Sequence, residues 1–267
     1  MNTSVLPDSF FLHELANIAG KASLKHYRTN ELTVLQNKPK ADYRFDPVTQ
    51  ADKLAEKLMR EHISAIYPNH SIMGEEYGIT GDGPIQWVLD PIDGTRPFLC
   101  GLPLWANLIG LTLHGKAIMG MMSQPYAGER FWADENGSWT SSAHGQYRLE
   151  TRKNIELSQA ILHTNSPEPF ASHPDIHFMT LTEQVLMTRY GGECYAMAML
   201  AAGRIDICFE FALEPYDIVP LIPIIERAGG RVTTLDGGRA ESGGPVLASG
   251  CPMLLRVILI GHPFAQV

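Results

Sequence analysis

Apolar residues recur at helical spacing near the start of the chain, where Phe11, Leu15, Ile18, Ala19 and Ala22 share one face. With Asp8 as cap, this pattern predicts a helix over 8–28. A second amphipathic run, with Ala51, Leu54, Ala55, Leu58 and Met59 on one face, predicts a helix over 51–66, just ahead of Pro68. Residues 29–50, with Pro39 and Pro47, are polar and read as irregular. Short apolar runs follow near 70–74, 85–90, 104–113 and 116–123. Then come Arg130-Phe131-Trp132 and an Asn136-Gly137 turn, a hairpin signal.

The second half changes style. Strand-like segments near 160–163 and 205–209 surround a helix expected at 193–203. A further helix is expected from Tyr216 to Ala228, stopped by Gly229-Gly230. Pro220 suits its first turn, whereas Pro223 lies deeper and should bend it. Residues 231–235 and 245–248 read as strands. The mixed order predicts layered α/β or α+β packing, with a soft boundary near residue 150 dividing an N-terminal half, 1–150, from a C-terminal half, 151–267.

Composition narrows the function classes. Hydrophobic residues make up 45% and charged residues 19% of 267, as expected of a globular protein with a substantial core. The net charge of −8 argues against a nucleic-acid partner. The most apolar long stretch, 102–123, is interrupted by Asn107, His114 and Lys116, so no membrane span is expected. Cys100, Cys194, Cys208 and Cys251 lack metal-ligand spacing and read as reduced thiols of a cytoplasmic protein. The first residues lack a basic region and soon reach Asp8, His13 and Glu14, so no signal peptide is expected.

The acids carry the chemistry. Gly74-Glu75-Glu76, Asp90, Asp93 and Tyr216-Asp217 place carboxylates beside glycine or at the edge of apolar runs. Singly, Glu75-Glu76 reads as a solvated turn, Asp93-Gly94 as a turn dipeptide and Asp217 as a helix cap. Together they suit hard divalent cations such as Mg²⁺, which take oxygen ligands and bind substrate phosphates. A pair of ions about 3.5–4 Å apart can clamp both oxygens of a phosphoryl transfer. Gly94-Thr95 adds bare backbone N–H groups for a phosphate.

"GEEYG" at 74–78, "WVLDPIDGT" at 87–95 and "PYDIVPLIPIIERAGG" at 215–230 resemble the three signatures of the inositol monophosphatase family, over roughly residues 8 to 250. The resemblance implies a layered αβαβα fold and a Mg²⁺-dependent, lithium-sensitive phosphatase of small phosphorylated substrates, usually homodimeric, with about two or three ions per site. It places Glu75, Asp90, Asp93 and Asp217 as metal ligands, joined by the backbone carbonyl of Ile92. Asp52 then supports Thr95, and Gly94 and Thr95 bind phosphate. Lys40, or Lys38 beside it, matches a family lysine near the metal loop. The implied reaction is metal-assisted in-line hydrolysis, in which Thr95 and Asp52 help deprotonate a water held beside Glu75, while Asp90, Asp93 and Asp217 serve the leaving oxygen.

The longer segments "DPIDGTRPFLCGLPLWANLIGL" and "GGECYAMAMLAAGRIDICFEFALEPYDI" resemble the histidinol-phosphate phosphatase branch. Glu193 stands where inositol-preferring members have a small residue, and Tyr216 where they have Trp. The resemblance makes Asp93, Glu193 and Glu210 substrate ligands, although Glu210 also suits a strand-end charge paired with Arg204. Asn107 and Pro220 depart from the pattern. A broader inositol or sugar-phosphate phosphatase and a non-catalytic regulatory protein on the same fold stay open as alternatives. His173 and His177, split by Pro174, read as ordinary loop histidines; Met119, Met121 and Met122 read as core, and Cys194 as a small buried hydrophobe.

Overall fold

The computed structural model describes residues 6–37, 45–171, 173 and 176–261. The first apolar stripe forms α1 (Ser9–Leu24), capped by Asp8 accepting from the Phe11 N–H at 3.1 Å. Residues 25–28 leave the predicted helix as a turn. Part of the segment expected to be irregular forms a two-stranded ladder, β1 (Val34–Asn37) with β2 (Pro47–Thr49). Every β1 residue is exposed, so it carries no alternation to betray it. A capping box of Thr49 and Asp52 starts α2 (Gln50–Ile66).

The apolar runs that follow become β3 (Ser71–Gly74), β4 (Gly78–Thr80) and β5 (Ile85–Asp93). After the short α3 (Thr95–Leu99) come β6 (Ala106–Leu113), β7 (Lys116–Gln124), β8 (Glu129–Asp134), β9 (Gly137–Ser142) and β10 (Gly145–Arg148). They build one eight-stranded sheet in the order β10-β9-β8-β7-β6-β5-β3-β4. The Asn136-Gly137 turn joins β8 to β9 as the sequence predicts.

The second half supplies β11 (Ile161–Thr164), α4 (Glu168–Ala171), α5 (Phe178–Gln184), β12 (Met187–Tyr190), α6 (Glu193–Ala201) and β13 (Ile207–Leu213). Then follow α7 (Pro215–Ile218), α8 (Leu221–Arg227), β14 (Arg231–Thr234), β15 (Gly244–Ser249) and α9 (Pro252–Gly261). The strands form a five-stranded sheet in the order β12-β11-β13-β15-β14.

Side-chain alternation fixes the layers. Trp87 and Leu89 of β5 pack with Leu15 of α1 and Met59 of α2, whereas Val88 between them packs with Met197 of α6 and Ile224 of α8. In the smaller sheet Cys208 and Ala248 face that same central helical layer, while Phe209 and Leu247 meet Phe178 of α5 and Leu255 of α9. The result is the layered αβαβα sandwich that the resemblance implied. Met119 and Met121 pack on one face of the large sheet and Met122 on the other, all as core. No helix among the described residues is long and apolar enough to cross a membrane.

The helix predicted over 216–228 is broken. The break falls at Val219-Pro220, between α7 and α8, and Pro223 sits in the first turn of α8, where its missing N–H has no partner to lose. The reason lies in the sheet. A Cβ on Gly120 of β7 would collide with the Pro220 carbonyl oxygen, and one on Gly110 of β6 would lie 3.1 Å from the Pro220 nitrogen. Two glycines thus let the α7–α8 junction settle on the strands, which sets Asp217 of α7 beside the end of β5.

Candidate active site

The apolar run of β5 ends in the two acids. Its pairing with β6 slips between Asp90 and Asp93, a bulge that leaves Pro91 and Ile92 out of register. Asp90 Oδ1 accepts from the Ile92 N–H at 3.0 Å. The amide of Asn107, fully buried on β6, donates to the Pro91 carbonyl at 2.6 Å and to Ser23 of α1 at 3.0 Å. Asn107, marked by the sequence as a departure, therefore supports the bulge. Gly94 follows at φ +83, a left-handed conformation that suits glycine, and α3 begins.

Carboxylate oxygens of Asp90, Asp93 and Asp217 lie within 4.8 Å of one another. Asp217 is not itself the helix cap that its sequence suggested: Glu214 caps α7, and Asp217, at the third helical position, completes the capping box by accepting from the Glu214 N–H at 2.7 Å. Asp93 accepts from the Cys194 N–H at 2.8 Å. Asp90 is 2% exposed, and burial, followed by Glu75, Asp93 and Asp217, drives its carboxyl well above the usual range. Such a group of hard oxygen donors, crowded by like charges, fits a divalent cation of the Mg²⁺ type. Its chemistry makes it a candidate metal centre.

Glu75 lines the same cavity from the turn after β3. That turn hangs on a residue the sequence reading passed over. Glu56 of α2, fully buried, accepts from the Glu76 N–H at 2.7 Å and the Tyr77 N–H at 3.2 Å, and pairs with Arg60 at 2.7 Å. Arg60 returns to the Thr80 hydroxyl at 3.1 Å and to the Gly78 carbonyl. Gly74 has no room for a side chain, because a Cβ would overlap the Glu56 carboxylate. The only signal in the sequence is an acid and a base four apart on a helix, a common surface pattern.

Asp52 comes from α2, 1% exposed, and accepts from the Thr49 N–H at 2.8 Å and from the Thr49 hydroxyl. Thr95 Oγ1 lies 3.3 Å from its other oxygen and 3.1 Å from the Ile92 carbonyl. Burial pushes the Asp52 carboxyl up to about 6, against hydrogen bonds from Thr49 and Thr95 that pull it down.

The cavity, of about 110 Å³, brings Glu75, Asp90, Ile92, Asp93, Gly94, Thr95, Glu193, Glu210 and Asp217 together. Asp52 stands behind Thr95. Lys38 and Lys40 lie outside the described residues. Glu210 of β13 does not pair with Arg204; its oxygens accept from the Asn165 N–H at 2.9 and 3.2 Å, with His163 at 3.5 Å. Asn165, another residue missed in the sequence, also donates its side-chain amide to Glu193 at 2.6 Å. Glu193 opens α6 at φ +48. Burial, then Asp93, pushes its carboxyl up to about 8, while Arg96 opposes. His173 packs on Phe211, with ring centroids 4.2 Å apart. All four cysteines are free, and only Cys100 is exposed.

The family model described as "Inositol monophosphatase family" matches residues 7–258. The bifunctional phosphatase IMPL2 of Arabidopsis thaliana is 39% identical over 228 residues, 84% of this chain, and the chain spans only 63% of that longer protein. The histidinol-phosphatase of Streptomyces coelicolor is 35% identical over 251 residues, 91% of this chain and 92% of its own. The Nus factor SuhB of Escherichia coli is 30% identical, covering 93% of this chain and 95% of its own. Among solved structures, an inositol monophosphatase from Zymomonas mobilis superposes with a TM-score of 0.81 at 30% identity, covering 95% of this chain and 96% of its own.

Proposed function

The chain belongs to the inositol monophosphatase family of phosphatases, and on that premise we propose that it is a Mg²⁺-dependent phosphomonoesterase acting on histidinol phosphate. The observation that carries the substrate is the pair of half-buried acids, Glu193 and Glu210, joined through Asn165 and lining the cavity that holds the carboxylate cluster. An ammonium leaving water needs a carboxylate partner, and histidinol phosphate carries one ammonium beside its phosphate. The similarity to histidinol-phosphatases from Streptomyces coelicolor, Mycobacterium tuberculosis and Chlorobaculum parvum, at 35, 34 and 31% identity, supports the same reading.

Asp90, Asp93 and Asp217 would hold the metal, with Glu75 and Ile92 lining the same cavity. Bound there, Mg²⁺ supplies Lewis-acid stabilisation of the charge that develops on the phosphoryl group and the leaving oxygen. The backbone N–H groups of Gly94 and Thr95 receive the phosphate. Thr95 hands its hydroxyl proton towards Asp52 at 3.3 Å, leaving its oxygen free to accept from the attacking water and aim it at phosphorus. Asp52, buried and pushed up to about 6, is suited to share that proton. As the water oxygen bonds to phosphorus its proton passes to the Thr95–Asp52 pair, the P–O bond to the substrate breaks, and the released alkoxide takes up a proton from solvent to leave as an alcohol.

The test is phosphate release from histidinol phosphate, inositol monophosphate, fructose bisphosphate and 3′-phosphoadenosine phosphate. The highest kcat/KM for histidinol phosphate is expected. A preference for inositol monophosphate would move the assignment to the broader branch, and no turnover of any of them would leave a regulatory protein on this fold.

A further inference from the structure

His163 of β11 stands just outside the cavity and has no part in the reaction as described. It is 3% exposed, and neither ring nitrogen makes a hydrogen bond among the described residues. Leaving both nitrogens of a buried ring without a hydrogen bond is costly, so a carboxylate close by matters to it. Its surroundings are not neutral. Nδ1 lies 3.5 Å from Glu210 Oε1. On the other side, a Cβ on Gly192, the residue before Glu193, would come within 2.9 Å of Nε2. The ring is thus wedged between the Glu210 carboxylate and the turn that carries Glu193.

Register explains the placement. β11 runs parallel to β13 with His163 opposite Cys208, so His163 and Glu210 are diagonal neighbours on one face. Two residues further on, Asn165 takes both Glu210 oxygens with its N–H and Glu193 with its side-chain amide. One strand end therefore holds both acids. Asn165, which lines the cavity, holds both acids, and His163 lies against Glu210.

We infer that His163 is a positioning residue for substrate selection: its imidazole braces Glu210 so that the carboxylate presents its open oxygen lone pairs to a substrate ammonium. The inference rests on the reading of an amine-bearing phosphate ester as substrate. A neutral ester has no use for an aligned carboxylate at that place, so the bracing matters to one substrate class and not to the other.

The experiment compares kcat/KM for histidinol phosphate and glycerol phosphate in the wild type, His163→Phe and His163→Asn. Phenylalanine keeps the ring and removes both nitrogens; asparagine restores an amide where Nδ1 stood. The ratio of the two specificity constants is expected to fall about tenfold in His163→Phe, through a raised KM for histidinol phosphate, and to recover in part in His163→Asn. If the larger ring prevents folding, His163→Leu carries the same test. An unmoved ratio, or equal losses on both esters, in an enzyme whose wild type prefers histidinol phosphate would overturn the role of His163 alone. A wild type without that preference would overturn the substrate reading and this inference with it.

Discussion

The Cys194 N–H donates to Asp93 at 2.8 Å, tying a carboxylate at the end of β5 to the first turn of α6. Glu193 is the residue immediately before that N–H. The cluster that suits a metal and the acid proposed to select the substrate thus share one support, and the electrostatics of one are felt by the other.

The Glu193 carboxyl shows this. Burial and Asp93 push it up to about 8 in the folded chain, against roughly 4.3 unfolded. A raised value means that the folded state binds the proton more tightly, so the stability it contributes is full at low pH and is lost as pH rises through about 8. With metal removed by EDTA, the melting temperature of the wild type, taken relative to that of Glu193→Gln, is expected to fall from about pH 5 to about pH 8.5. Calorimetry of both proteins across that range checks it. A gap independent of pH would mean that the fold does not hold the Glu193 proton.

Thr95 and Asp52 are proposed to act as a unit on the attacking water. Thr95→Ala and Asp52→Asn should each lower kcat by about 100-fold or more with little change in KM, and the double variant should be no worse than the poorer single one. Steady-state kinetics on the three variants decide. An effect confined to KM would make Thr95 a binding residue.

Glu56 holds the turn that carries Glu75. Glu56→Ala leaves two backbone N–H groups and Arg60 without their buried acceptor, and should cost about 3–5 kcal/mol of stability. It should also raise the Mg²⁺ concentration needed for half-maximal activity, because Glu75 loses its placement. Gly74→Ala, which drives a methyl into the same carboxylate, should act in the same direction. Urea denaturation and Mg²⁺ titration test both; a loss below about 1 kcal/mol would show that the turn stands without Glu56.

Much of this site was legible because its signals are local. An apolar run ending in Asp90, a turn at Asp93-Gly94 and an acid at a helix start at Asp217 can each be read within a few residues. Glu56 was not legible: on α2 it looks like any solvated acid, and its burial comes from a turn more than 17 residues away that has no side chain at Gly74. Asn165 and His163 were hidden likewise, since their partners arrive from β13 and α6. The break at Pro220 rather than Pro223 depends on Gly110 and Gly120, two strands distant in sequence. β1 and β12 carry mostly exposed residues and no clean alternation, and so gave no pattern. α9 buries Leu254, Leu255 and Ile258 against the small sheet, a helical spacing the sequence does contain.

Everything proposed for this site depends on the acids at the end of β5 and in α7 holding a divalent metal for phosphate-ester hydrolysis. The most direct measurement is phosphate release from histidinol phosphate by the wild type and by Asp93→Asn, with Mg²⁺ and with EDTA, alongside the melting temperature of each. The wild type is expected to turn over with Mg²⁺ and stop in EDTA, and Asp93→Asn to lose about 100-fold or more in kcat while remaining folded. Turnover by the wild type that persists in EDTA, or near-normal Mg²⁺-dependent activity in Asp93→Asn, would contradict it.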